Sequence, residues 1–146
     1  MCMDQLTIGK LAKQAGVGIQ TVRFYERQGL IQKPPKRGGF HYYSSEDAKR
    51  IRFIKRAQEV GFTLREVQEL LDLRIQSTAT CGDVKHKTDE KITEVEAKIR
   101  DLHRIKRSLK QLSEACVRQE ASASQCPVLD RFEDGRHCDV SKTKKR

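Results

Sequence analysis

A long stretch in the second half of the chain repeats apolar residues at three- and four-residue intervals, near the two apolar positions of a heptad. The members of this repeat are Ile92, Val95, Ile99, Leu102, Leu109 and Cys116, with Ile105 and Leu112 beside them. Lys106 and Ser113 interrupt the ideal positions. One solvated helix with this pattern is only marginally stable in water, so it needs a partner helix. The pattern therefore predicts a dimerisation helix over residues 81–116 that forms a coiled-coil homodimer.

Cysteines at the two ends of this stretch predict the direction of the coiled coil. Thr80-x-x-Asp83 is a helix-capping pattern beside Cys81, and Cys116 follows 35 positions later. A helix separates these two sulfurs by about 50 Å, so they cannot meet within one chain. Two antiparallel helices bring Cys81 of one protomer beside Cys116 and Cys126 of the partner subunit. We therefore expect a three-thiolate metal site made of Cys81, Cys116 and Cys126 and shared between two chains, as in a thiol-based sensor.

The composition supports small helical pieces that share a core with a partner. Hydrophobic residues make up 36% and charged residues 34% of the 146 residues, and there is no Trp. This length fits one domain, or a small domain with an oligomerisation arm. The five cysteines favour metal or redox chemistry over a disulfide framework, because their number is odd and a reducing compartment is expected. Cys2 and Cys138 are interpreted as small buried apolar residues, with Cys138 beside His137 as an alternative auxiliary ligand.

The charge is strongly positive and leans toward the N-terminal half. The formal net charge is +10, with 14 Lys and Arg against 8 Asp and Glu in residues 1–76 and 16 against 12 in residues 77–146. This balance indicates a nucleic-acid partner, and a merely basic soluble surface is the alternative. No apolar run has the length of a membrane span and no signal-peptide core is present, so we expect a cytoplasmic protein without a membrane partner.

The first third of the chain has the pattern of two short helices joined by a glycine-containing turn. Thr7 is a favourable N-cap for the first helix, which Gly16 ends, and the second helix is predicted from Ile19 to Arg27. This arrangement predicts a helix-turn-helix over residues 8–27. The second helix is expected to turn five candidate DNA contacts outward: Gln20, Thr21, Arg23, Tyr25 and Arg27. A small three-helix domain without DNA-binding activity is the alternative.

A β-hairpin, or wing, is predicted after Pro34-Pro35. Two basic residues, Lys36 and Arg37, precede the pair Gly38-Gly39, and alternating aromatic residues follow in Phe40-His41-Tyr42-Tyr43. Lys36, Arg37 and Tyr42 are the candidate DNA contacts here, because a basic hairpin tip approaches a phosphate backbone. A plain surface loop is the alternative.

The remaining segments read as helices, loops and a tail. Ser44-x-x-Asp47 and Thr63-x-x-Glu66 resemble capping boxes that begin a third and a fourth helix. The predicted buried residues of these two helices are Ala48, Ile51, Phe53, Ile54, Ala57, Leu64, Val67, Leu70 and Leu71. Residues 75–80 are a predicted linker, residues 117–125 a polar loop, and a short amphipathic element begins at Cys126-Pro127. The last segment, residues 133–146, is predicted to be a disordered basic tail.

No catalytic arrangement is evident. His41, His86, His103 and His137 lie in different contexts, and the chain has no phosphate-cradling glycine loop or paired-carboxylate pattern. We therefore do not expect an enzyme. A metal-buffering or trafficking protein is a rival hypothesis, but it leaves the helix-turn-helix and the wing without a purpose.

Several of these motifs together resemble the MerR family of transcriptional regulators. The resemblance is carried by Thr7-Ile8-Gly9-Lys10-Leu11-Ala12, Thr21-Val22-Arg23-Phe24-Tyr25-Glu26, Gly39-Phe40-x-Tyr42-Tyr43 and Ile51-x-Phe53-Ile54. It covers residues 5 to about 132 and implies a mainly α fold: a winged helix-turn-helix DNA-binding domain over 5–74, a long helix forming an antiparallel coiled-coil dimer, and a metal-binding loop with a short helix over 116–132. His41 departs from the family pattern, whose wing usually carries Arg, and one phosphate contact is therefore in doubt.

The resemblance also implies a mechanism and an effector. Such a dimer binds double-stranded promoter DNA with an over-long spacer, and effector binding distorts that DNA so that RNA polymerase engages both promoter elements. A cysteine at the position of Cys81 resembles the branches that sense divalent ions. Cys126-Pro127-Val128-Leu129 resembles the mercury branch, whereas Val117 and Ala121 stand where the zinc branch has ligands. Hg(II) is therefore the expected effector, with Pb(II), Cd(II), Zn(II) or a thiol redox signal as alternatives.

Overall fold

The computed structural model describes residues 5–134, and the chain divides into two compact units, one ending at Lys87 and one beginning at Thr88. The interpretations of Cys2, His137 and Cys138, and most of the predicted tail over 133–146, lie outside the described residues. Within residues 5–134, no helix combines the length and the apolar character that a membrane span requires.

The first unit begins with two short helices, α1 (Ile8–Ala15) and α2 (Ile19–Arg27). The Thr7 side chain accepts a hydrogen bond from the backbone N–H of Lys10, 3.4 Å away, and so caps α1. Gly16 ends α1 in the left-handed region with φ of 70°, a conformation that glycine adopts without steric cost. The predicted helix-turn-helix over residues 8–27 is therefore confirmed as a structural element.

The wing is a hairpin of two very short strands, β1 (Lys36–Arg37) and β2 (Phe40–His41). The strands are antiparallel, with Lys36 opposite His41 and Arg37 opposite Phe40. The two turn residues, Gly38 and Gly39, both have positive φ, as the common two-residue hairpin turn requires. The predicted wing is confirmed.

Two longer helices follow the wing in the first unit: α3 (Ser45–Glu59) and α4 (Leu64–Ile75). Both begin with the capping boxes that the sequence predicts. The Thr63 backbone N–H, for example, donates to Glu66 Oε2 at 2.7 Å, while the Glu66 N–H donates back to Thr63 Oγ1 at 3.3 Å. Helix α4 includes residue 75, so the linker begins one residue later than predicted.

The core of the first unit lies among α1, α2, α3 and α4. Its largest fully buried side chains are Leu11, Val22, Ile31, Ile51, Ile54 and Val67. Of the buried stripe predicted for α3, Ala48, Ile51 and Ile54 are buried, whereas Phe53 and Ala57 pack against the core at its edge. Burial of these apolar surfaces is the main force that assembles the four helices.

Basic side chains of α3 hold the other elements through backbone carbonyl groups. Arg52 donates to the carbonyl of Gln14 at 3.1 Å and Lys55 to that of Gly16 at 3.0 Å. Both carbonyls lie at the C-terminal end of α1, where the helix dipole favours a positive charge. Arg50 donates to the carbonyl of Leu30, just after α2, at 2.6 Å. Positive charge on α3 thus stabilises the helix-turn-helix internally.

A single 34-residue helix, α5 (Cys81–Glu114), crosses from the first unit to the second. It ends at Glu114, two residues before the end predicted at residue 116, and the chain turns at Ala115. A 3-10 turn (Ala123–Gln125) and a short helix, α6 (Pro127–Glu133), follow. Pro127 occupies the first helical position of α6, which suits proline because that N–H has no partner within the helix.

The predicted heptad face of α5 is exposed. Its six large apolar side chains are 40% to 63% exposed: Ile92, Val95, Ile99, Leu102, Ile105 and Leu109. A contiguous apolar stripe of this length on a solvated helix is the surface that a coiled-coil partner covers.

Replacing Ile54, which is 0% exposed, by Ala should lower the free energy of unfolding. We expect a loss of about 2–5 kcal/mol, because the change removes buried methylene groups and leaves a cavity. Urea unfolding at a fixed protein concentration measures the loss. The matched control is Ile75→Ala, at a side chain that is 82% exposed, which should change the value by less than about 0.5 kcal/mol. Equal losses for the two variants would contradict this description of the core.

Candidate nucleic-acid interface and cysteine site

A groove of about 360 Å³ lies between α2 and the wing in the first unit. Its lining comes from the start of α1, from α2, and from the segment that contains the hairpin: Thr7, Ile8, Arg23, Glu26, Arg27, Lys33, Gly39, Phe40, His41 and Tyr43. Three of these side chains are basic by type and one is acidic. A concave surface with this excess of positive charge attracts phosphate groups.

The structure brings together only some of the predicted DNA contacts. Arg23 and Arg27 are exposed and line the groove. Gln20 on α2 is exposed outside the groove lining, and Thr21 is half-buried. Of the remaining four, three belong to the segment around the wing: Lys36 and Arg37 are exposed on β1, and Tyr42 is half-buried just after β2.

The expected exposure of Tyr25 is wrong. Its side chain is 3% exposed, and its hydroxyl donates to Gln58 Oε1 on α3 at 2.8 Å. Burial raises the pKa of Tyr25, and the nearby charge of Glu59 adds to the effect. Tyr25 lies three residues after Val22, which is also buried, so helical periodicity places both on the inner face. Tyr25 therefore holds α2 against α3 and is not available to DNA.

The same periodicity turns Phe24 outward, a residue that the sequence interpretation did not select. Phe24 is 39% exposed, and its ring centroid lies 6.0 Å from the guanidinium carbon of Arg27. This distance is within the range of a cation–π contact, which restricts the Arg27 side chain. Lys33 was also missed, although its place immediately before Pro34-Pro35 marks it as part of the basic segment that leads to the wing.

His41 has a role inside the wing. Its Nδ1 donates to the carbonyl of Pro34 at 2.5 Å, and the side chain is half-buried. The hydrogen bond ties the second strand to the chain that leads into the first strand. The residue that departs from the family pattern thus supports the base of the hairpin.

Tyr43 connects the wing to both helices of the helix-turn-helix. Its side chain is 3% exposed and its hydroxyl donates to Glu26 on α2. Its backbone exchanges two hydrogen bonds with Leu6, which precedes α1, at 2.8 and 2.9 Å. Burial first, and then the hydrogen bond with Glu26 and that residue's charge, raise the pKa of Tyr43 above its ordinary value of 10.0. The hydroxyl is therefore a donor throughout the neutral pH range.

The three candidate metal-ligating cysteines are free thiols at ends of helices. Cys81 is the first residue of α5 and is exposed, Cys116 follows the end of α5 and is half-buried, and Cys126 is the half-buried N-cap of α6. Among residues 5–134, no group of three or more His, Cys, Asp or Glu side chains is placed to hold a metal ion. The three-thiolate site made of Cys81, Cys116 and Cys126 therefore stays a prediction.

The start of α5 is firmly capped. The Thr80 N–H donates to Asp83 Oδ2 at 2.7 Å, and the Asp83 N–H donates to Thr80 Oγ1 at 3.3 Å. The hydrogen bonds from the backbone and then from the hydroxyl of Thr80 hold the pKa of Asp83 below its ordinary value. Because the folded state favours the ionised carboxylate, Asp83 contributes to the stability of the fold at neutral pH, and this stabilisation is lost as the pH falls through the lowered pKa. Cys81 thus sits in a helical turn of defined geometry.

An ion pair joins the first turns of α5 to α4 within the first unit. Lys87 Nζ lies 2.6 Å from Glu69 Oε2, and the other oxygen of Glu69 lies 4.0 Å from Arg65 Nε. Lys87 is six residues, or less than two helical turns, beyond Cys81. The first turns of α5, which begin at Cys81, are therefore in direct contact with α4.

Comparisons with known proteins identify the family. The chain matches the family described as MerR HTH family regulatory protein over residues 6–73, and the family described as MerR, DNA binding over residues 48–112. It is 38% identical to the HTH-type transcriptional regulator ZntR of Escherichia coli (strain K12), covering 88% of this chain and 92% of the relative. It is 41% identical to the mercuric resistance operon regulatory protein of Bacillus cereus, covering 84% and 93%.

A solved structure agrees with these relatives. The transcription regulator PbrR691 from Ralstonia metallidurans CH34, in complex with lead(II), superposes with a TM-score of 0.78 at 34% identity and covers 87% of this chain and 98% of that one. The matches run through the helix-turn-helix, the wing and the long helix. The chain therefore belongs to the MerR family of helix-turn-helix, DNA-binding transcriptional regulators, whose members are regulators and not enzymes.

Proposed function

We propose that this chain is a metal-responsive transcriptional regulator that binds promoter DNA as a homodimer. In this proposal Hg(II) binds Cys81, Cys116 and Cys126, and the dimer then activates transcription by distorting the promoter. The observation that carries the proposal is the position of the thiols. Cys81 begins a 34-residue helix whose apolar face is exposed, and Cys116 follows the end of that helix.

Pairing two copies of α5 in antiparallel fashion satisfies both features at once. It removes the apolar face from water, which favours association. It also places Cys81 of one protomer beside Cys116 and Cys126 of the partner subunit at each end of the dimer. Two equivalent sites result, in accordance with the two-fold symmetry of a homodimer.

The chemistry of the donor set favours a soft ion. Three thiolates without nitrogen or carboxylate ligands suit thiophilic ions such as Hg(II), whereas Zn(II) prefers four ligands in a tetrahedral arrangement. The relatives include proteins named for zinc and for mercuric resistance, and the matched structure holds lead. Their identities to this chain are similar and do not separate the metals, so the preference for Hg(II) in this proposal rests on the proposed donor set, with Pb(II), Cd(II) and Zn(II) as alternatives.

DNA would be held by α2 and the wing. The exposed side chains of α2 would enter the major groove while the basic wing follows the phosphate backbone. The proposed contacts are Gln20, Thr21, Arg23, Arg27, Lys36, Arg37 and Tyr42. RNA polymerase is the further partner in this proposal, because the distorted promoter is the substrate that it engages.

The proposed signal travels from Cys81 through α4. Closing three thiolates around an ion fixes the start of α5, and the Lys87–Glu69 ion pair and the apolar face of α4 carry the shift to the helix-turn-helix. The apolar residues of that face are Leu64, Val67, Leu70 and Leu71. The ion biases the two states only by its difference in affinity for them.

Replacing Arg23 by Ala should weaken operator binding and leave dimerisation and metal uptake intact. We expect a loss of about 1–3 kcal/mol in binding free energy if Arg23 reads a base edge, or a salt dependence reduced by about one counterion if it contacts a phosphate. Fluorescence anisotropy over a salt series measures both quantities. Lys49→Ala is the charge-matched control, because Lys49 is an exposed residue of α3 whose side chain pairs with Glu46 at 3.0 Å. Unchanged operator affinity of Arg23→Ala at fixed salt would contradict the interface.

A mixed dimer tests the shared metal site. Cys81→Ser and Cys116→Ser homodimers should each lose both sites, whereas a heterodimer of the two variants should regain one. One end of that heterodimer keeps all three cysteines, and the opposite end loses two. Metal stoichiometry of purified heterodimers, with wild-type homodimer as the reference, measures the recovery. No recovered site would mean that the ligands come from a single chain.

Metal should change transcription far more than it changes DNA affinity, because the proposed apo and metal-bound dimers both occupy the operator. Footprinting and runoff transcription on one template, with and without Hg(II), test this function. Parallel titrations with Pb(II), Cd(II) and Zn(II) rank the alternatives, and anaerobic conditions separate a metal sensor from a disulfide switch, which needs an oxidant. Release of the protein from DNA by Hg(II) would rule out the distortion mechanism.

A further inference from the structure

We propose that Tyr43 and Glu26 are positioning residues that set the wing against α2 and thereby determine how well the protein distinguishes its operator from other DNA. The inference rests on the proposed DNA-binding function. It assigns a role to one neutral and one acidic residue of the groove, neither of which can attract phosphate by its charge.

The contacts of Tyr43 place it at the junction of three elements. It lies two residues after β2, its backbone pairs with Leu6 ahead of α1, and its buried hydroxyl bonds to Glu26 in the last turns of α2. The hydrogen bond between Tyr43 and Glu26 therefore ties the chain that leaves the wing to α2.

The wing needs such an external constraint because it has little structure of its own. Each strand has two residues, and an isolated two-stranded hairpin is marginally stable in water. Phe40, the aromatic residue of β2, is 64% exposed and so contributes little core. The His41–Pro34 hydrogen bond closes the base of the hairpin internally but does not attach it to α2.

A fixed separation between α2 and the wing matters for sequence reading more than for affinity. Arg23 and Arg27 lie on one side of the groove, and the basic strand β1 belongs to the hairpin on the other. Phosphate contacts set the register of a protein on the duplex, and base contacts then read the sequence. A displaced wing still attracts DNA through its positive charge, so affinity is largely kept. The register of α2 with the bases changes, however, and sequence reading is lost.

The test compares variants of the full chain that remove single groups. Tyr43→Phe deletes the hydroxyl that bonds to Glu26. Tyr25→Phe is the matched control, since Tyr25 is equally buried and donates at 2.8 Å to Gln58 on α3, away from the wing. Glu26→Gln keeps an acceptor oxygen and Glu26→Ala removes it, and both lose the same charge. The measurements are melting temperature and affinity, over a salt series, for the duplex that the wild-type protein selects from a random pool and for an unrelated duplex.

We expect Tyr43→Phe and Glu26→Ala to lower the ratio of the two affinities about tenfold, which corresponds to about 1.4 kcal/mol. The affinity of Tyr43→Phe for unrelated DNA and its salt dependence should stay at the wild-type values. Tyr25→Phe should lose about as much thermal stability as Tyr43→Phe, yet keep the wild-type ratio of affinities for the selected and the unrelated duplex. Glu26→Gln should also keep that ratio, while binding both duplexes more tightly.

Equal ratios for Tyr43→Phe and Tyr25→Phe would reduce Tyr43 to a stabilising role and overturn the proposal. If Tyr43→Phe does not fold, the comparison of Glu26→Ala with Glu26→Gln decides, and equal ratios there overturn the proposal as well. A wild-type protein that selects no sequence would instead refute the proposed function itself, together with this inference.

Discussion

The exposed apolar face of α5 is the constraint on which the proposed quaternary structure depends. A helix of 34 residues that leaves Ile92, Ile99 and Leu102 in water loses the free energy that their burial would provide. A second copy of the same helix supplies a matching face without any further sequence requirement. Antiparallel pairing then brings opposite helix ends together, so the same constraint that demands a dimer also supplies the proposed site for the effector.

The elements of the fold were predictable because local chemistry marks their ends. Capping boxes at Ser44 and Thr63, the cap at Thr80, and the Gly38-Gly39 turn each satisfy or require a specific backbone geometry. These signals act within four residues and survive in any tertiary context. The end of α5 was predicted less well, since no capping pattern marks the chain where it turns at Ala115.

The candidate interface was predicted less completely because its arrangement depends on contacts distant in sequence. Tyr25 bonds to Gln58 across 33 positions, and Tyr43 to Glu26 across 17. Tyr25 was predicted to lie on the outer face of α2, although its three-residue spacing from the buried Val22 indicates the inner face. The three cysteines were recognisable by type and by their places at helix ends, but Cys81 belongs to the first unit and the other two to the second, so their assembly stays a prediction.

In the proposed function, binding of the effector and binding of distorted DNA are thermodynamically linked. If Hg(II) favours the dimer that distorts DNA, then distorted DNA must raise the affinity for Hg(II) by the same factor, because the coupling free energy is reciprocal. In the proposed mechanism this coupling passes through the start of α5, where Lys87 Nζ lies 2.6 Å from Glu69 Oε2, six residues after Cys81. The ion pair is partly exposed and therefore weak by itself. In this proposal its contribution is to give the Cys81 end of α5 a contact on α4, so that a displacement of one helix is transmitted to the other.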